Sequence, residues 1–391
     1  MKATSPSRVR RVAILVETSR SYTRDILAGV RSYLEKHGPW STFMELRAFD
    51  SPAPPWLKNW DGDGILTRTH SEEMAEIIAA AGVPSVELRS TNFNRDMPSV
   101  GMDNALIGQM VAEHFINRGY RRFAAYTLDT EAFFRERVRN FVSRVRTDGS
   151  ACELLPAHGE SSPDDWESHQ TDLIEWLNSL QKPVGIFATN DQLAVRLLDA
   201  CRRAEIAVPE EVAVVGCENE STLCDFASPT LTSVNFDGET VGYEAARILD
   251  GLMNGAKISR TPYLIPPKGI EVRGSSDEFV IEDPIVLRAV KLIRQHAFAG
   301  ITVGEIADRL QVSRSTLERR MKSTLRRGTK EELLRVRFRE VNRMLRNTDL
   351  TVETIAEATG FKHANYLQST YRERFRITPG EYRKRETNRR P

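Results

Sequence analysis

ITVGEIADRLQVSRSTLERRMKSTL, residues 301–325, and LTVETIAEATGFKHANYLQSTYRERF, residues 350–375, are two versions of one pattern. Each opens on a Thr-Val pair ahead of a short helical stretch whose Ile and Ala face inward. These are Ile306 and Ala307 in the first copy, Ile355 and Ala356 in the second. A tight turn follows, at Gln311-Val312 or Gly360-Phe361, and then a second helix with one polar face. Ala at the crossing lets two helices meet closely, and Gly at the turn tolerates a left-handed backbone. Two copies about 50 residues apart make an internal helix-turn-helix repeat, where one copy alone would be weak.

The charge around this repeat points the same way. The 391 residues carry a net charge of only +1, but residues 285–391 hold 25 Lys/Arg against 12 Asp/Glu. The remainder holds 30 against 42. A basic tail on an acidic body is the footprint of a nucleic-acid reader attached to something else. The four cysteines show no C-x-x-C spacing and the histidines no H-E-x-x-H, so neither a disulfide framework nor a metal site is expected. The apolar run at 12–16 is too short for a signal peptide, and no stretch approaches a membrane span, so a soluble, cytoplasmic protein is expected.

From residue 10 to about 275, short β-branched runs alternate with amphipathic helical patterns. Strands are predicted at 11–16, 64–66, 83–88, 123–126, 184–188 and 212–216, and helices at 24–36, 72–81, 106–118, 133–146, 166–179 and 192–204. That alternation predicts parallel α/β sheets with right-handed crossovers. The length suits two similar lobes, with a ligand between them beyond the carboxyl ends of the strands. No G-x-G-x-x-G follows the first strand, no Walker A motif occurs, and no nucleophile elbow stands out. The body therefore reads as a binding module with no cofactor, and an enzyme on the same sheets is the remote alternative.

Within that body, Gly185-Ile-Phe-Ala-Thr-Asn-Asp-Gln-Leu-Ala194, Ile206-Ala-Val-Pro209, Val212-Ala-Val-Val-Gly216, Ser228-Pro-Thr-Leu-Thr-Ser233 and Gly242-Tyr-Glu-Ala-Ala246 occur in an order that resembles the LacI-type effector-binding domain. Val100-Gly-Met-Asp-Asn104 and Asn117-Arg-Gly-Tyr-Arg-Arg122 fit the same pattern. No LacI-type amino-terminal DNA-binding headpiece is expected, because Arg11 already begins the first strand. The tail supplies a reader instead. Residues 337–345, Ile355-Ala356, Gly360-Phe361 and Thr378-Pro-Gly-Glu-Tyr-Arg383 resemble the AraC-type DNA-binding domain, with Val341, Leu367, Tyr371 and Arg376 departing from its usual residues.

The resemblance implies a two-lobed, periplasmic-binding-protein-like α/β sensor over 10–275, a linker at 276–284, and an all-α double helix-turn-helix domain over 285–391. It further implies a sugar-responsive transcription regulator, an activator that acts as a homodimer on promoter DNA and contacts RNA polymerase. Its effector would be xylose or a related pentose, with a different ligand or a sensor that no longer responds as the alternative. Carried over position by position, the pocket's polar residues would be Asp103, Arg137, Asn190, Asp191 and Glu218. Trp166 and Phe236 would form its walls, with Tyr22 and Trp60 as further aromatic candidates; a cap on the next helix is the plainer alternative for Asp191, which follows its strand. For DNA, helical spacing turns Leu317 and Met321 inward, and Ser315, Glu318, Arg319 and Lys322 outward. Ser313 suits an N-cap, and Thr316 and Arg320 complete the first reader's candidates. In the second reader Leu367 and Tyr371 face inward, leaving Lys362, His363, Asn365, Tyr366, Gln368 and Ser369 for DNA. Arg319 suits guanine, Asn365 and Gln368 suit adenine, and Lys362 a phosphate. The helix at 330–347 spans about 27 Å, enough to space the readers roughly one DNA turn apart.

Overall fold

The computed structural model describes residues 8–45, 51–90, 93–94, 96–128, 131–156, 166–281, 283–325 and 327–388. The chain divides into two units, Met1–Glu278 and Phe279–Pro391. Ser275 and Ser276 are fully buried in the first, while Phe279 and Ile281 pack into the second. The boundary falls inside the linker expected at 276–284.

The sensor's first lobe is built from β1 (Arg11–Leu15), α1 (Ser21–His37), β2 (Ser41–Met44), β3 (Gly64–Thr67), α2 (Glu72–Ala80), β4 (Ser85–Glu87) and β5 (Val100–Met102). Its four-stranded sheet runs β2-β1-β3-β4, all parallel. The chain then crosses into the second lobe through α3 (Asn104–Asn117), β6 (Phe123–Thr127), α4 (Ala132–Thr147), β7 (Cys152–Pro156), α5 (Trp166–Ser179), β8 (Val184–Ala188), α6 (Asp191–Arg203), β9 (Val212–Glu218), α7 (Ser221–Phe226) and β10 (Thr232–Asn235). It returns to the first lobe in α8 (Gly238–Met253) and β11 (Tyr263–Ile265), which pairs with β5, and crosses a third time into β12 (Gly269–Glu271). The second sheet runs β12-β10-β9-β8-β6-β7, parallel except for β12. Buried strands such as β8 and the first six residues of β9 explain the continuous apolar runs, since helices cover both faces of such a sheet.

The late helix α8 was not foreseen as a helix. It belongs to the first lobe because it crosses α1 at two glycines. A Cβ on Gly29 would stand 2.0 Å from the Glu239 carbonyl oxygen, and one on Gly242 1.9 Å from that of Ile26. No residue with a side chain fits either crossing.

The second unit is helical: α9 (Pro284–His296), α10 (Val303–Arg309), α11 (Arg314–Leu325), α12 (Thr329–Asn347), α13 (Val352–Ala358), α14 (Ala364–Phe375) and α15 (Pro379–Asn388). Thr302 and Glu305 form a reciprocal capping box at the start of α10, and Thr351 caps α13. The repeat extends to the turn itself. Gln311 and Gly360 occupy equivalent places, and both are left-handed, at φ 55° and 77°. Gln311 pays roughly 1–2 kcal/mol for that conformation, which glycine adopts freely. Arg376 ends α14 in the same way, at φ 61°, keeping the turn without the family's glycine. Among the described residues no helix is long and apolar enough to cross a membrane, and no group of His, Cys, Asp or Glu could hold a metal ion.

Candidate functional site

The strand ends of the two lobes face a narrow cleft whose free cavity is only about 30 Å³. Tyr22, Arg137, Glu218 and Phe236, all expected from the sequence, line it. So do Arg20, Arg68, Leu88, Arg89, Ser90, Met102, Asn104 and Phe133, which were not foreseen. A usable signal existed for two of these. Arg68 follows β3 and Arg89 follows β4 by two residues, so both lie beyond carboxyl ends of the first sheet, where an open α/β sheet presents its ligand.

Arg137, on the inner face of α4, is 4% exposed. Its Nε donates to Asn104 Oδ1 at 2.8 Å and its Nη1 to the Thr189 carbonyl at 2.7 Å. Its guanidinium carbon lies 5.0–5.6 Å from the ring centroids of Phe133, Phe134 and Phe236. Tyr22 meets Phe236 edge-on at 5.2 Å and lies under the Arg68 guanidinium. Burial raises its phenol well above the usual range, so Tyr22 offers a protonated hydroxyl. Glu218 ends β9 at φ 108°, a strained backbone for a residue with a side chain, and such strain gathers at functional sites.

Contacts between the lobes ring this cleft. Glu220 Oε2 accepts the Ser21 amide at 2.8 Å, Arg20 approaches Glu218 at 3.6 Å, and Arg89 pairs with Glu131 at 3.1 Å. Beneath them Arg68 pairs with buried Glu17.

The other expected pocket residues sit differently. Asp103 caps α3 by accepting the Leu106 amide at 2.9 Å, and Asn190 caps α6 through the Leu193 amide at 2.8 Å. Asp191 is 1% exposed, and its oxygens accept from Ser233 Oγ at 2.6 Å, the Glu220 amide at 2.8 Å and Cys224 Sγ at 3.6 Å. None of the three lines the cleft, because each carboxylate or amide oxygen serves a nearby backbone or hydroxyl donor. Trp60 packs with Phe43 and Trp56 in the first lobe's own aromatic cluster, away from the cleft. The Trp166 side chain lies outside the described residues.

Glu87, behind the cleft, is fully buried and accepts the Thr69 amide at 3.2 Å on each oxygen. Desolvation pushes its carboxyl from 4.5 up to about 7, against the pull of Arg89 and Thr69. The folded chain therefore binds this proton more tightly than the unfolded one. Its contribution to stability is complete below 4.5 and is lost as pH rises through about 7. Asp191, also desolvated and raised from 3.8 to about 7, acts in the same direction. The sensor's melting temperature is expected to fall between about pH 5 and pH 8. Glu87→Gln should reduce that slope in scanning calorimetry, and an unchanged slope would exclude Glu87 as a source.

In the second unit Leu317, Met321, Leu367 and Tyr371 are fully buried, as helical spacing required. Ser313, Ser315, Arg319 and Lys322 of the first motif are exposed, as are Lys362, His363, Asn365, Tyr366, Gln368 and Ser369 of the second. Ser313 accepts the Thr316 amide at 3.1 Å and so caps α11. Two residues depart from expectation. Arg320 is held by Asp283, the cap of α9, at 3.0 Å, and Glu318 accepts the Thr329 amide at 2.9 Å, tying α11 to α12. Arg319 makes no hydrogen bond or ion pair among the described residues, so its fork is available to a base edge. Arg319→Ala is expected to cost about 1–3 kcal/mol of DNA binding and to relax base preference in one half of the site, and Asn365→Ala in the other half. Selection of preferred sites for both variants checks this. Loss of preference at the same base pairs would contradict two separate readers.

Comparison with known proteins follows the same division. The periplasmic binding protein-like domain family matches residues 112–276, and a helix-turn-helix domain family matches residues 306–385. A xylose operon regulatory protein of Haemophilus influenzae is 29% identical over 384 residues, covering 95% of this chain and 98% of that one. The Escherichia coli K12 protein of the same name is 28% identical over 384 residues, covering 95% and 96%. The solved structure of a xylose-binding transcription activator superposes with a TM-score of 0.63 at 26% identity, covering 97% of this chain and 98% of its own. With sensor and reader in the same order and similarity along nearly the whole length, this chain is a DNA-binding transcription regulator similar to the xylose operon regulatory proteins.

Proposed function

We propose that this regulator responds to a small sugar, xylose or a related pentose, and activates genes for its use. The observation that carries this reading is the full-length similarity to regulators named for xylose, joined to a cleft whose lining offers what a sugar needs. Arg137 supplies a planar donor fork, Glu218 an acceptor, and Tyr22, Phe133 and Phe236 aromatic surface. The sugar would hold the lobes together, adding to the contacts of Glu220, Arg20 and Arg89 across the cleft. In this reading the protein works in the cytoplasm as a homodimer, and lobe closure alters how paired subunits present their readers to the promoter and RNA polymerase.

A second reading, a different small ligand such as an acidic sugar, is carried by Arg137, which pairs with no carboxylate among the described residues, whereas Arg20, Arg68 and Arg89 pair with Glu218, Glu17 and Glu131. Titration calorimetry against xylose, other pentoses, hexoses and the corresponding sugar acids separates the two. Tight binding of xylose with operator affinity changed in its presence supports the first. Selective binding of a sugar acid replaces it with the second.

A further inference from the structure

The DNA-binding unit holds two separate apolar cores that share one helix. Leu333 and Val336 of α12 belong to the core beneath the first helix-turn-helix, whereas Phe338, Val341 and Leu345 belong to the second. Arg337 stands between these two sets in the chain, and it is 6% exposed. Its Nε donates to the Ala297 carbonyl at 2.9 Å and its Nη2 to the Ile301 carbonyl at 2.9 Å, both in the segment that joins α9 to α10. The same guanidinium lies 5.5 Å from the ring centroid of Phe361, in the turn of the second motif. Backbone meets backbone there as well. A Cβ on Gly360 would stand 2.2 Å from the Ala297 carbonyl oxygen.

A shared helix fixes the distance between two motifs, but helices bend and two small cores can roll about their common rod. A third contact away from the axis is needed to fix their relative rotation. Arg337 supplies it. The guanidinium takes one carbonyl at each end of the α9–α10 connection, that of Ala297, the C-cap residue at the negative end of α9, and that of Ile301 just before α10. It spends the rest of its surface on the opposite motif's aromatic ring. No carboxylate pairs with it among the described residues.

We propose that Arg337 is a positioning residue that sets the angular register between α11 and α14, so that both reading helices enter successive grooves on one face of the duplex. The proposal rests on the reading of two DNA-contacting motifs per chain. It predicts an effect on the coupling of the two motifs and not on either motif's own contacts.

The test measures binding of the full-length protein to three DNAs: one recognition element, two elements in phase, and two elements offset by about half a helical turn. Wild type is expected to prefer the in-phase site over the offset one by about tenfold or more, since linked modules gain only when geometry lets both engage. Arg337→Met should lose that preference while binding the single element as wild type does. Arg337→Lys, which reaches one carbonyl at a time, should fall between. Melting temperatures are measured alongside, and the lysine variant decides the matter if the methionine variant fails to fold. Full phase preference in the variants, with only a lowered melting temperature, makes Arg337 a stabiliser and overturns the proposal. So does an equal loss on the single element. A wild type indifferent to phase would instead overturn the two-motif reading, and the proposal with it.

Discussion

Replacing Arg137 with methionine is expected to abolish the effector response, weakening binding about a hundredfold or more, while operator DNA is still bound without effector. Methionine keeps much of the stem's volume but none of the five donors. The Asn104 amide oxygen and the Thr189 carbonyl, both now satisfied by Arg137, would be left in a dry cleft at a cost of about 1–3 kcal/mol each. The effector would lose its donor fork, and Phe133, Phe134 and Phe236 the cation that orders their faces. Arg137→Lys keeps the charge but not the fork, and should recover little. Calorimetric titration, melting temperature and operator binding, measured on both variants, separate a lost ligand contact from a loosened lobe. Wild-type effector affinity in the methionine variant would move the site out of this cleft.

The second large effect concerns salt. A fragment spanning 279–391 contains both reader cores and is expected to bind DNA alone, with no response to any sugar. Raising salt from 50 to 200 mM should weaken it by about 10³–10⁵-fold if some 6–10 phosphates are contacted. The exposed cations Arg319, Lys322 and Lys362, and the excess of 25 basic over 12 acidic residues in 285–391, are the physical basis. Counterions released from the duplex carry that dependence. A flat profile across this range would mean that the basic surface does not meet the phosphates. Titration of a labelled duplex at several salt concentrations gives the slope directly.

Both expectations begin in features that local sequence encodes well. Alternation of apolar strand and amphipathic helix specified the α/β sensor, because burial on a sheet and on a helix follow different periods. The reader was legible in more detail. Leu317 and Met321, then Leu367 and Tyr371, are one helical turn apart and fully buried, which settled the outward faces of α11 and α14 before any contact was known. The paired turns at Gln311 and Gly360 were legible because a repeat compares a chain with itself.

Periodicity says that a polar residue sits near a strand end, and not which distant group satisfies it. Asp103, Asn190 and Asp191 all follow strands in the expected manner, yet their oxygens go to Leu106, Leu193, Ser233 and Glu220 and not to the cleft. Arg320 points away from its neighbours on α11 toward Asp283, 37 residues earlier. Arg68 and Arg89 reach the cleft because β3 and β4 end beside it, a matter of strand order across 391 residues that no window of sequence contains. Elements and their faces come from short-range pattern. The partners of buried charges come from how those elements are brought together, since a charge withdrawn from water takes whichever counter-group the assembled fold leaves within reach.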